Sequence, residues 1–198
     1  MPHPPVLPLK NRNSIVTYSK RDFPLHAVRQ HLETGPIVLI TSHHGSRSNI
    51  MTLGWHTMLQ FSPALVGCYI WEGNESRELI RRAGECVINV PTAEIADQVV
   101  EIGNRHACDG DKFEATGLTQ RRGEVVAAPL LDDCYASFEC RLYDDAMVSN
   151  YGFFIWEVVK AHVADVEAPR TLHYRGNGTF MVAGEELAFT ERFRPENL

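Results

Sequence analysis

His43, His44, His56, His106 and Cys108 carry the softer metal-binding groups of this chain, and imidazole or thiolate ligands would suit zinc or iron. None of them falls in HExxH or in a paired CxxC, the spacings that bring ligands to one ion, so no metal centre is expected. Asp109-Gly-Asp-Lys-Phe-Glu114 opens like a calcium loop. Its fifth position is Phe113, however, its sixth is Glu114 where the sharp turn needs glycine, and its twelfth is Gln120. Gly176-Asn-Gly178 lacks the third glycine of a dinucleotide fingerprint. With no P-loop and no nucleophile elbow, the usual nucleophile and phosphate-loop chemistries have no support.

The elements that would position a site are short. Pro2, Pro4, Pro5, Pro8 and Pro24 make residues 1–24 an extended arm ahead of one domain over 25–198. Leu25 to Leu32 suits a short helix stopped by Gly35-Pro36. Ile37 to Ile40 then reads as a buried strand, with a turn over His44–Ser48 returning the chain into a second strand near Asn49. After the break at Pro63, Leu65 to Trp71 is a further buried strand. Ser76 stands where an N-cap belongs, ahead of a helix over 77–83 that ends at Gly84.

Cys86 to Val90 is a strand closed by Pro91. Thr92 caps a helix with Ile95, Val99 and Ile102 on one face, ending at Gly103. A polar stretch from Asn104 to Arg122 precedes a half-buried strand in which Ala136, Phe138, Cys140 and Leu142 alternate with Ser137, Glu139, Arg141 and Tyr143. Phe153 to Val163 is a last long strand. About six strands, few helices and no regular βαβ alternation predict a mainly β, closed or partly closed antiparallel barrel.

Composition narrows the classes. The 198 residues are 44% apolar and 22% charged, ordinary for a globular protein of one domain. The net charge of -6 and the absence of basic runs longer than Arg81-Arg82 or Arg121-Arg122 argue against a nucleic-acid partner. The start lacks the apolar run of a signal peptide, and no stretch approaches a membrane span. Five cysteines without paired spacing predict free thiols in a reducing cytoplasm.

One ordered set of short motifs remains. It begins with Thr41-Ser42, Asn49-Ile-Met-Thr-Leu-Gly-Trp-His56, Phe61-Ser-Pro63 and Leu65-Val66. It continues through Glu75-Ser-Arg-Glu-Leu-Ile80, Val87-Ile-Asn-Val-Pro91, Asp111-Lys-Phe113, Thr116-Gly-Leu118, Ala128-Pro-Leu130 and Leu142. In order and spacing the chain resembles the flavin reductase-like, FMN-binding split-barrel family, most closely its flavoredoxin branch with an N-x-M-T-x-x-W strand. The resemblance spans roughly residues 25 to 185.

That resemblance implies a split β-barrel holding FMN noncovalently. Asn49, Thr52 and Gly54 would offer polar and backbone contacts to the isoalloxazine, and Trp55 would be the aromatic beside it. Ser76 and Arg77 would hold phosphate or ribityl oxygens, Lys112 would reach the N1-C2 edge or the phosphate, and Tyr174 would bring a late aromatic over the pocket. The implied activity is electron transfer from NAD(P)H to flavin or on to a partner protein. The flavin does the chemistry, so no catalytic side chain is assigned; His56 and His173 are considered only as groups that orient a nicotinamide or donate a proton. Two alternatives are an FMN carrier or sensor without turnover and a barrel whose histidines hold a metal or haem. A homodimer with the flavin at the subunit interface, embraced by the proline-rich arm, also follows from the resemblance.

Overall fold

A computed structural model describes residues 17–32, 34–106 and 109–194. Most of the expected arm, residues 1–16, and Cys108 lie outside the described residues. β1 (Lys20–Asp22) and α1 (Arg29–Leu32) lead into β2 (Val38–His44), β3 (Arg47–Leu53), β4 (His56–Gln60) and β5 (Leu65–Tyr69). Then come α2 (Ser76–Ala83), β6 (Glu85–Val90), α3 (Ala96–Asn104), α4 (Lys112–Thr116) and the short strands β7 (Gln120–Arg121) and β8 (Leu130–Leu131). β9 (Ala136–Asp144), α5 (Val148–Tyr151) and β10 (Phe153–Ala164) follow, and β11 (Leu172–Tyr174) with β12 (Phe180–Val182) makes a late hairpin.

The strands pair antiparallel in the order β3-β2-β6-β9-β10-β5-β4. β10 is long enough to serve three neighbours: β9 along one edge, β5 opposite Phe153–Glu157, and β1 opposite 162–164. β3 and β4 are the two ends of this path and do not pair with each other, which leaves the barrel split between them. The fold is therefore the expected mainly β split barrel with short helices. Its first hairpin turns in two residues, Gly45 and Ser46, because Gly45 adopts φ 65°, a left-handed conformation that glycine reaches without steric cost.

Two apolar layers hold the strands. Inside the barrel, Val38, Ile40, Met51, Val66, Ile88, Phe138, Phe154 and Trp156 form the main core, with Phe154 and Trp156 stacked at 5.6 Å. Outside it, Leu39 and Ile50 meet Ile95, Val99, Ile102 and Phe113 from the helical side. The first half of β2 thus buries both faces, which is why Ile37–Ile40 is a continuous apolar run rather than an alternation. Each such fully buried aliphatic side chain stabilises the fold by roughly 1.5–3 kcal/mol. The described cysteines Cys68, Cys86, Cys134 and Cys140 are buried free thiols, and burial pushes the Cys134 thiol up to about 12.

Several expectations need correction. The helix expected over 25–32 is broken into a 3-10 turn at Leu25–Ala27 and the single turn α1. β4 and the β11–β12 hairpin are extra strands, and the polar stretch contains α4. Residues 20–22, inside the expected arm, are a strand of the chain's own sheet. There Lys20 Nζ donates to Ser137 Oγ at 2.8 Å and to the Leu131 carbonyl, and burial draws the pKa of this ammonium down to about 8.

The strand expected to be half-buried is buried on both faces over Ala136–Cys140. Its polar side chains are satisfied inside the protein. Glu139, 0% exposed, accepts from the backbone N–H groups of Glu124, Val125 and Val126 at 3.1, 2.7 and 2.8 Å and lies 2.7 Å from His162 Nε2. Burial works against its charge, but the His162 bond and these N–H donors together outweigh burial and hold the carboxyl below its usual range.

Candidate functional site

An unpaired strand edge is a row of alternating backbone donors and acceptors with nothing to bond. β3 has such an edge: it pairs with β2 on one side and with no strand on the other among the described residues. α3 is fastened beside it, since Thr52 Oγ1 donates to the Val99 carbonyl at 2.8 Å, and α2 is fastened at its other end, since Asn49 Nδ2 donates to Ser76 Oγ at 2.9 Å. The hydroxyl of Thr52 and the amide N–H of Asn49 are thereby used in holding the walls. What β3 leaves free is its backbone.

Along this edge run two adjoining cavities that share Thr52 and Gly103. The outer one, about 440 Å³, has walls of Ile37, Trp55, Val99, Val100, Tyr174 and Phe180. Trp55 is 71% exposed and leans on Tyr69 with ring centroids 5.2 Å apart, so it stands at the mouth and not in the core. Tyr174 leans on Phe180 at 5.0 Å, and its hydroxyl accepts the Gly178 N–H at 3.1 Å, which is how the late hairpin closes that side. The outer cavity is suited to a flat, largely apolar ring with polar groups on the edge turned to β3.

The inner cavity, about 190 Å³, is of opposite character. Arg105, His106 and Lys112 line it together with Ser76, Glu75 and Trp71. Lys112 is 7% exposed and its Nζ reaches the Ile102 carbonyl at 3.4 Å. Burial pulls its pKa down, and the carboxylates of Glu75 and Asp109 pull it back up. A buried ammonium whose hydrogen bond among the described residues is a long one to a carbonyl gains more from a bound anion than a solvated surface lysine would. Asp111 sets this geometry by capping α4, accepting from Phe113 N at 2.8 Å and Glu114 N at 3.4 Å.

Of the residues singled out in the sequence, Thr52, Gly54, Trp55 and Tyr174 border the outer cavity, Thr52, Ser76 and Lys112 the inner one, and Asn49 ties the walls together. Arg77 is not brought in. Its Nη2 donates to the Val148 carbonyl at 2.7 Å and the side chain lines a separate hollow behind α2. Ser76 is the first residue of α2, not its cap, and its own N–H donates to Asn74 Oδ1 at 2.9 Å. His56 Nε2 donates to the Pro36 carbonyl at 2.7 Å, His173 Nε2 pairs with Thr171 Oγ1 at 2.9 Å, and neither lines either cavity. Gly103, Arg105 and Trp71 were not named as site residues from sequence, and His106, which lines the inner cavity, was weighed there only as a metal ligand. The only available signal was that Arg105 and His106 follow directly on the apolar-faced helix leading to Lys112.

The sequence pattern of the flavin reductase like domain matches residues 31–181. The uncharacterized protein YddH of Escherichia coli K12 is 32% identical over 178 residues, which are 82% of this chain and 94% of that protein. The NADH-dependent FMN reductase AsuE2 of Streptomyces nodosus subsp. asukaensis is 28% identical over 148 residues, covering 73% of this chain and 77% of that one. Among solved structures, an FMN-binding domain of a flavin reductases-like enzyme from Shewanella baltica OS155 superposes with a TM-score of 0.81. Its identity is 24%, over 87% of this chain and 98% of that one.

Proposed function

Because this chain belongs to the flavin reductase-like domain family, we propose that it binds FMN along the free edge of β3 and works as an oxidoreductase, moving electrons from NADH or NADPH to flavin or on to a partner protein. The observation that carries this reading is the sequence of environments along that edge: an apolar, aromatic cavity, a boundary shared at Thr52 and Gly103, then a polar cavity lined by Lys112 and Arg105 together with the Glu75 carboxylate. FMN has the same three parts in the same order, a flat ring, a polyol and a phosphate. The residues present therefore fit the group.

Trp55, Tyr174 and Phe180 would flank the ring, while the unpaired N–H and C=O groups of β3 would meet its polar edge. Lys112, with Arg105, His106 and the Ser76 hydroxyl, would hold the phosphate. A bound flavin supplies two-electron chemistry, and a cation near its ring or phosphate shifts the potential at which it does so. The protein's own part is to bind, orient and shield. The relative named as an NADH-dependent FMN reductase supports a nicotinamide donor, and the same reading carries with it a homodimer.

Titrating apoprotein with FMN and with riboflavin, while following tryptophan fluorescence, tests the assignment. Wild type should quench and show flavin absorption bands. Lys112→Ala should weaken FMN by about tenfold while leaving riboflavin, which has no phosphate, as it was. No quenching and no flavin bands would sink the reading. Binding without NADH or NADPH oxidation would leave an FMN carrier.

A further inference from the structure

β1 is held lightly at its surface and firmly at one point. It pairs with β10 along a single edge, opposite His162, Val163 and Ala164, and its other edge meets no strand among the described residues. The ion pairs of Arg21 with Asp165 at 3.5 Å and of Asp22 with Lys160 at 3.0 Å lie at the surface and hold little. Lys20 is the anchor. Its Nζ donates to Ser137 Oγ at 2.8 Å, Ser137 Oγ donates to Asn89 Oδ1 at 2.7 Å, and Asn89 Nδ2 donates to the Leu39 carbonyl at 3.1 Å. A second link runs beside the first: Lys20 Nζ also donates to the Leu131 carbonyl, and the Leu131 N–H donates to Asn89 Oδ1 at 3.1 Å. Ser137, Asn89 and Leu39 are fully buried. Leu39 stands opposite Thr52 in the β2–β3 ladder, and Thr52 borders both cavities.

We propose that β1 is a strap that regulates the ligand edge: Lys20, acting through Ser137 and Asn89, positions β2 behind Thr52, so that flavin binds more tightly with β1 docked than with β1 lifted. The proposal rests on the flavin reading above and adds to it a positioning residue that lies outside both cavities. Every bond of the chain runs the same way, from the ammonium to the Leu39 carbonyl, so each polarises the next, and a fully satisfied buried network of this kind rigidifies what it joins. Lifting β1 leaves the Ser137 hydroxyl and the Leu131 carbonyl without their donor. The network must then re-form around Asn89, whose amide also reaches Thr41 Oγ1 at 3.3 Å, and this disturbs the β2 backbone to which β3 is bonded. By linkage, flavin on β3 holds β1 down by the same factor by which docked β1 tightens flavin.

The test is titration of wild type, Lys20→Met and Ser137→Ala with FMN and with riboflavin, read by tryptophan fluorescence. Beside it, deuterium uptake is followed at the Tyr18 and Phe23 amides, which bond the Asp132 and Ala161 carbonyls in the docked strap. Lys20→Met keeps the stem and loses the donor, and trading a half-buried ammonium for a thioether does not threaten the fold. It should weaken FMN and riboflavin equally, by about fivefold, because the effect arrives at Thr52 and not at the phosphate. FMN should slow uptake at the two strap amides of wild type by the same factor, and should no longer do so in Lys20→Met. Ser137→Ala should match the loss of flavin affinity and add nothing to it in the double variant. A Lys20→Met protein that exchanges faster at Tyr18 and Phe23 yet binds both flavins as wild type does would overturn the proposal, as would strap amides in wild type that do not respond to FMN. A wild type that binds neither flavin removes the FMN reading itself, and this proposal with it.

Discussion

Replacing Gly103 by leucine should abolish FMN binding in a protein that remains folded. Gly103 lies in the last turn of α3 and borders both cavities at the point where they join. A Cβ there would sit 3.6 Å from Thr52 Cβ and Oγ1, ordinary contact distance, so the backbone tolerates a side chain. Helix propensity even favours one: alanine is better than glycine in a helix by up to about 1 kcal/mol. Gly103→Ala should therefore raise Tm by about 2–4 °C in a domain of this size while narrowing the passage. Gly103→Leu fills it. The expected result is at least a hundredfold weaker FMN titration for the leucine variant, with far-UV circular dichroism and Tm no worse than wild type. If Gly103→Leu binds FMN as wild type does, the flavin does not cross between the two cavities.

The second large effect concerns stability. Glu139→Ala removes the acceptor of three backbone N–H groups and the partner of His162 in a fully buried place. Breaking one side of a buried ionic network costs about 3–5 kcal/mol, a large share of the roughly 5–15 kcal/mol that holds a domain folded. Gly123 gives no relief, since an added Cβ there would lie 2.3 Å from the Val126 carbonyl oxygen. The sign of the pH dependence follows from the Glu139 carboxyl, whose folded pKa lies below its ordinary value of 4.5. Its contribution is present above that ordinary value and is lost as pH falls through the folded one. Urea unfolding should show wild type losing stability below about pH 4.5, with a smaller loss over the same range in Glu139→Ala. Parallel curves for the two proteins would mean that Glu139 is not the group responsible.

Much of the barrel was legible because its strands are short, β-branched and bounded by Gly or Pro. Ile37–Ile40 and Leu65–Tyr69 bury both faces or nearly so, and their runs say it. β4 was hidden because His56–Gln60 is largely exposed and follows β3 with only Gly54 and Trp55 between them. α4 was hidden because its five residues are nucleated by the Asp111 cap and by packing on α3, neither of which produces a periodic pattern. At the site, the residues of β3 could be named from the strand motif, but what they do could not. The side chains of Asn49 and Thr52 hold the walls, and the contacts left for a ligand are on the backbone. Arg77 was readable as a neighbour of Ser76, yet rotation about the start of α2 sends it to the Val148 carbonyl. Arg105 and His106 reach the inner cavity only through the way α3 packs, information that no local spacing carries.

The split between β3 and β4 also decides where the molecule opens first. β10 is bonded along both edges by three strands, whereas β3 pairs with β2 alone among the described residues. Amide hydrogens of β10 should then exchange with deuterated water only on global unfolding, and those of β3 through local opening of lower free energy. The strand that would receive the ligand is thus among the least protected in the sheet, and a molecule bonding its free edge would close the gap that the chain leaves open. Slowed deuterium uptake over Arg47–Leu53 would report occupancy of that edge even for a ligand that has no colour.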